Sequence, residues 1–297
     1  MTSPLPKPMW RRISLGVLLH MFVRQSFAAF TVALLLSLIA VSWTFVLVES
    51  EGRPGPLSAE AWRRASRFLG NLAGSDSSGT PAFLEWESWE DALSLARDTV
   101  MMGILAAGLA AAGALMTIAF AASNLTHGNS SPFRPFVGRV VFGVTRISYI
   151  LARAVPELVW ALLVVFVLNP GVLAGAVALA IHNFGVLGKL GAEVVEDIDP
   201  DPVRSLRSSG AGNAQVLMYG VLPQVLPQFV TYLLYRSEVI IRTSVVVGLV
   251  AATGLGYQLR LDLAFFRYTD VALLLMVYVL LVWAIDLAST WLRRLAK

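Results

Sequence analysis

Cysteine is absent from the 297 residues, which excludes disulfide staples, thiol catalysis and cysteine-ligated metals. Histidine is nearly absent: His20, His127 and His182 stand far apart and offer no metal-ligand spacing. Charge is scarce as well. Charged residues make up 14% of the chain against 57% hydrophobic ones, and the mean hydropathy is +0.70. That is too little charge to coat a soluble globule, so the chain belongs in a membrane. A phosphate-binding loop is missing too. Gly185-Val186-Leu187-Gly188-Lys189-Leu190 has two residues rather than four between its glycines and no Ser or Thr after the lysine. The chain binds no nucleotide by that motif and needs no cofactor of its own. A net charge of +4 and a pI near 9.6 would suit nucleic acid, but the basic residues gather at the ends of apolar segments rather than on one patch. They orient the chain in a bilayer, and no nucleic-acid partner is implied.

What the chain has is long apolar runs. A helix crosses the hydrocarbon core with about 20 apolar residues, and six stretches qualify: residues 27–48, 99–122, 147–168, 171–188, 224–250 and 271–291. The first carries no charge; the second holds Gly103, Gly108 and Gly113, suited to close helix packing in lipid. Asn169-Pro170-Gly171 breaks the chain between the third and fourth, which predicts a tight hairpin there. The expected fold is all-α, with six transmembrane helices.

Orientation follows from Lys and Arg in the short loops. Lys7, Arg11, Arg12 and Arg24 precede the first span, Arg134 and Arg139 follow the second, and Arg293, Arg294 and Lys297 end the chain, none with a nearby acid. Residues 49–98 instead carry nine acids and five arginines. The expected plan is a cytoplasmic segment 1–26, a first transmembrane helix 27–48, an extracytoplasmic insertion 49–98 and a core 99–297, with both termini inside a bacterial inner membrane. Two asparagines in glycosylation patterns, Asn124 and Asn129, fall on the inner side and are discounted. In the insertion, residues 58–69 form an amphipathic helix with Ser58 as its cap. It lies on the membrane surface, touches an external partner, or is a solvated insertion.

The loop between the fourth and fifth stretches is the most informative part. Asp199-Pro200-Asp201-Pro202 is a helix start, Gly210 and Gly212 are a break, a second short helix is expected over residues 213–219, and Leu222-Pro223 opens the next span. A helix, a break and a rigid proline exit can dock as a knob in a groove of a soluble partner.

This loop resembles the coupling loop of type I ABC importer permeases, whose pattern is Glu-Ala-Ala, three residues, Gly, nine residues, Ile, one residue, Leu-Pro. Arg204, Ser205 and Leu206 stand at the Glu-Ala-Ala positions, Gly210 at the Gly, Gly220 at the Ile, and Leu222-Pro223 at the Leu-Pro. The spacing is kept while the opening triplet and the Ile are lost, which points to a subfamily. Residues 153–162, 178–189, 219–227 and 234–242 resemble the permease of phosphonate importers; residues 1–140 show no such signature. The glycine-rich stretch expected next is Ala251-Ala252-Thr253-Gly254-Leu255-Gly256, so Gly248, Gly254 and Gly256 are candidates for a gate loop. The resemblance implies a homodimeric permease, an ABC ATPase dimer that holds ATP and Mg, and an extracytoplasmic solute-binding protein. It implies that Pro202, Arg204, Ser205, Leu206, Gly210, Leu222 and Pro223 meet the ATPase.

Seven ionisable residues fall within or at the edge of the apolar stretches: Arg153, Glu157, His182, Arg236, Glu238, Arg242 and Asp286. Each costs about 2.5–3.5 kcal/mol to insert and faces protein or water rather than lipid. Arg153 and Glu157, four apart, are spaced to pair on one helical face. Arg139, Arg146 and Arg153 recur every seven residues, the first two as anchors for lipid headgroups. His182 on its own reads as a satisfied core histidine. A phosphorus oxyanion gives the arginines a use, provided that the path holds it weakly enough to release it. Arg153, Glu157, His182, Arg236, Glu238 and Arg242 are the candidate lining or gate of that path. The cargo is phosphonate, or alternatively phosphite, phosphate or another small solute. A different class, an integral-membrane enzyme acting on phospholipid headgroups, would need a nucleophile and a base near the interface, and no such pair is evident.

Overall fold

The computed structural model describes residues 15–49, 55, 58–75, 79–123 and 135–295. Lys7, Arg11, Arg12, Arg134, Lys297, Asn124 and Asn129 lie outside the described residues. Residues 1–69 and 70–297 form two compact units. In the first, α1 covers Leu15–Glu49. The hydroxyls of its apolar half donate back to carbonyls three or four residues earlier: Thr31 to Phe27 at 2.9 Å, Ser37 to Leu34 at 2.8 Å and Thr44 to Val41 at 2.9 Å. These three hydroxyls therefore meet lipid already satisfied. The amphipathic helix α2, Ala59–Leu72, begins where expected. Ser58 Oγ caps it by accepting from the Ala61 N–H at 3.2 Å.

The second unit holds α3 (Trp86–Ala121), α4 (Pro135–Ala154), α5 (Glu157–Leu168), α6 (Val172–Glu196), α7 (Pro200–Ser208), α8 (Leu222–Ala251), α9 (Gly254–Ala264) and α10 (Tyr268–Leu295). Strands are absent among the described residues. Four helices are long and apolar enough to cross a membrane, and six spans result if α4 with α5 and α8 with α9 each count as one bent span.

Two of the apolar stretches differ from their expected form. The helix expected from residue 99 begins at Trp86, because a polar, well-anchored turn extends it: the Trp89 indole donates to the Phe83 carbonyl at 3.0 Å, and Thr80 hydrogen-bonds Glu85. The stretch 147–168 is broken by a 97° bend between α4 and α5. Pro156 has no N–H to continue the ladder and biases Val155 away from helical backbone. The α5–α6 hairpin holds, with Asn169 at φ 62° and the Gly171 N–H donating to Ala251 O at 2.8 Å.

The centre is built from small side chains. Ala106, Ala110 and Ala114 of α3 and Ala174, Ala176 and Ala178 of α6 are buried, with Met102, Leu179 and Ile240 filling between them and α8. In lipid, where burial of apolar area drives little association, such close backbone approach gains its stability from dispersion and from tied polar groups. Towards the α7 end, Ile118, Leu187, Val225 and Phe229 form a second cluster.

Candidate functional site

The intramembrane charges separate into two groups. In the first, Arg242 of α8 donates to Glu238 Oε1 and Asp286 Oδ1, each at 2.5 Å, and Arg293 donates to the other oxygen of Glu238 at 3.2 Å. Two cations and two anions thus join α8 to α10 in a neutral network. Arg242 Nε is buried without a hydrogen-bond partner among the described residues. A network closed on itself holds helices together.

The second group gathers at the break between α4 and α5. His182 Nδ1 lies 3.0 Å from the Val155 carbonyl; a carbonyl only accepts, so Nδ1 carries the proton. His182 Nε2 lies 3.8 Å from Glu157, beyond hydrogen-bond reach. The Ala152 carbonyl, also freed by the break, accepts from the Trp160 indole at 3.0 Å. Arg236 of α8 donates through Nε to Asn183 Oδ1 at 2.5 Å. Asn183, 2% exposed, is anchored in turn to Leu179 O at 2.7 Å. Arg153 does not pair with Glu157. Pro156 puts them on different helices, and Arg153 is exposed without an ion pair among the described residues. Sequence reading missed Asn183; the signal was an uncharged polar side chain in an apolar helix.

A second missed set lies at the far end of α6. Glu196 Oε1 accepts from Arg146 at 2.7 Å and from the Ser123 N–H at 2.8 Å, and Arg146 Nε donates to Ala121 O at 2.8 Å. The ends of α3 and α6 are thereby tied to α4. Arg146 is a structural clamp rather than a headgroup anchor.

Three residues beyond Glu196 the chain enters α7. Asp199 caps it, accepting from the Asp201 N–H at 3.0 Å, with Pro200 in the first turn. Its end is a Schellman motif: the Gly210 N–H donates to Arg207 O and the Ala211 N–H to Leu206 O, both at 3.0 Å, with Gly210 at φ 84°. Pro202, Arg204, Ser205 and Gly210 are exposed, whereas Val203 and Leu206 are half-buried. A Cβ on Gly220 would stand 3.0 Å from Leu206 Cδ1 and 3.4 Å from Val203 Cγ2. The apolar face of α7 therefore rests on the bare backbone of residue 220. The expected second helix is a single turn, Asn213–Gln215, that runs through a π segment, Val216–Val221, into α8. Pro223 cannot donate to the ladder, and the wider π turn absorbs the mismatch. Gln224 Nε2 donates to Gly220 O at 2.6 Å across it.

Gly248, Gly254 and Gly256 meet at the turn from α8 to α9, which bends by 53°. A Cβ on Gly248 would lie 2.6 Å from Thr253 O, and one on Gly256 would collide with Val245 O. Gly254, at φ 66°, lets the Leu255 N–H reach Thr99 Oγ1 at 2.9 Å, while Ser244 Oγ donates to Thr99 O at 3.1 Å. Ala252 takes φ 55° although it is not glycine.

Comparison with known proteins identifies the scaffold. Residues 136–296 match the family described as binding-protein-dependent transport system inner membrane component. A phosphite transport system permease protein of Stutzerimonas stutzeri is 37% identical over 214 residues, 72% of this chain and 73% of that one. A phosphate-import permease protein of Mycolicibacterium smegmatis is 35% identical over 68% of this chain and 36% of its own length. A putative cryptic phosphonate transport system permease protein of Escherichia coli is 41% identical over 39% of this chain and 96% of its own. Among solved structures, an inward-facing MetNI methionine ABC transporter aligns with a TM-score of 0.57 at 16% identity over 69% of this chain and 96% of that one, a likeness of fold. The chain belongs to the binding-protein-dependent transport system inner membrane component family, as a multi-pass permease subunit of a type I ABC importer and not an enzyme.

Proposed function

We propose that two copies of this chain form the membrane path of an importer for phosphonate or a related phosphorus oxyanion. An extracytoplasmic solute-binding protein delivers the cargo, and an ABC ATPase dimer carrying ATP and Mg drives the step. The observation that carries this reading is the 37% identity over 72% of the chain with a permease named for phosphite transport. The arginines in the apolar helices support it, since guanidinium matches the oxygens of such anions.

In this reading both termini lie in the cytoplasm and residues 49–98 outside, so α7 faces the ATPase. Pro202, Arg204 and Ser205 offer its exposed surface, Gly210 lets the partner approach, and Leu206, Leu222 and Pro223 pass its displacement to α8. Gly248, Gly254 and Gly256 shape the turn that moves with the gate. Arg153, Glu157, His182 and Arg236 line the path, and Glu238 with Arg242 holds α8 against α10 beside it.

Proteoliposomes holding the chain, its ATPase and its binding protein should accumulate phosphonate, phosphite or phosphate when ATP is inside the ATPase compartment. Accumulation of none of them, with another solute imported instead, refutes the cargo. Because the chain has no cysteine, single cysteines report sidedness directly. Thr80→Cys should react with an impermeant reagent from outside and Ser208→Cys should not; the reverse pattern would overturn the orientation.

A further inference from the structure

We infer that Arg236 is the oxyanion-holding residue of the path and that Glu157 is the internal anion that the cargo displaces from it; this rests on the oxyanion reading above. Arg236 and Asn183 sit half-way along α8 and α6. Asn183 is buried, and its amide is fixed by Leu179 O, so its oxygen holds Arg236 Nε in one orientation. The guanidinium is thereby turned without being used up. Its Nη1 and Nη2 make no hydrogen bond among the described residues and are not occluded. Two parallel N–H groups on one edge suit two oxygens of a tetrahedral phosphorus anion.

Arg242 is the contrasting case. Its Nη2 serves both Glu238 and Asp286, in a network whose charges cancel. An anion entering there would have to break an ion pair and replace only part of it. At Arg236 the competitor is Glu157, which makes no ion pair with it within 4.0 Å and lies at the same break, beside His182, the chain neighbour of the Asn183 that holds Arg236. Glu157 also lies 3.8 Å from His182 Nε2, which attracts its carboxylate only when that nitrogen is protonated as well. Glu157 is tethered and stays nearby, so arriving cargo adds its negative charge to the site and is repelled by that carboxylate. The repulsion keeps holding weak, as a conducting path requires.

The test uses the purified complex with its ATPase, without binding protein, and 31P line broadening of methylphosphonate, phosphite and phosphate. Wild type should broaden at least one line. Arg236→Gln should remove the broadening and lower uptake at least tenfold. Glu157→Gln, which removes the competitor at nearly constant volume, should strengthen the broadening and slow turnover. Arg242→Lys should leave the broadening in place. Broadening retained in Arg236→Gln, or unaltered in Glu157→Gln, overturns the inference and leaves the oxyanion reading standing. Wild-type complex that broadens none of the three lines but binds another class of solute overturns the oxyanion reading itself.

Discussion

The contact between α7 and residue 220 makes a double-mutant cycle informative. The family pattern has a small residue where this chain has Leu206 and a large one, Ile, where it has Gly220, and the two positions touch: the Gly220 Cβ would lie 3.0 Å from Leu206 Cδ1. Large and small have changed places across one contact. Gly220→Ile alone pushes a branched side chain into Leu206 and Val203, an overpacking cost of about 1–3 kcal/mol. Leu206→Ala alone empties a half-buried site, and roughly 1–2 kcal/mol of packing is lost. Gly220→Ile with Leu206→Ala restores the volume, so a coupling energy of about 1–2 kcal/mol should appear, with the double variant close to wild type. Thermal unfolding of the detergent-solubilised complex and co-purification of the ATPase read the cycle. Additive losses, with the double variant worse than either single one, would refute the packing of α7 on residue 220.

Four further outcomes are expected. Gly210→Asp meets open space within this chain but must adopt φ 84°, so it should cost only about 1–2 kcal/mol and leave a folded permease; loss of substrate-stimulated ATP hydrolysis would place the obstruction in the partner, and full coupling would remove α7 from the mechanism. Arg242→Ala orphans Asp286 while Glu238 keeps Arg293, which should lower stability by about 1–3 kcal/mol and impair uptake by an assembled complex; normal uptake would show that transport does not need the α8–α10 network. Gly185→Ala would set a Cβ 2.6 Å from Tyr149 O and 2.9 Å from the Arg153 N, forcing α4 off α6 at a cost of about 1–3 kcal/mol, visible as a lower Tm. Ala252→Gly relieves the φ of 55° and should raise stability by up to about 1 kcal/mol, measured in the same melt.

Local chemistry was readable in the sequence where it is decided locally. Asp199, Pro200 and Gly210 bound α7 because a cap, a ring and a missing Cβ act within one or two residues. Asn169 and Gly171 fix their turn for the same reason. The pairing of Arg153 with Glu157 failed on local grounds as well: Pro156 lies between them, and the spacing rule for helices does not survive a proline. What was not readable is what distant segments do for each other. Nothing near Glu196 in sequence tells of Arg146, and nothing near Asn183 tells of Arg236. Those partners are 50 and 53 residues away. The early start of α3 was hidden because residues 86–98 are polar, and apolar length counts only the part of a helix that lipid covers.

The Glu196 clamp sets how stiffly α7 is mounted. Only residues 197–199 separate the clamp from Pro200, a tether of roughly 10 Å at full stretch. One side of α7 is therefore leashed to a point where three helices are bolted together by Arg146, Ala121 and Ser123. Its other side bears on Gly220, at the foot of α8. A load on α7 has almost no slack to take up before it is shared between those two mountings, and the lever arm is one short helix. Lengthening the leash by a few glycines would act as a clutch, leaving every contact in place while uncoupling displacement of α7 from the bundle.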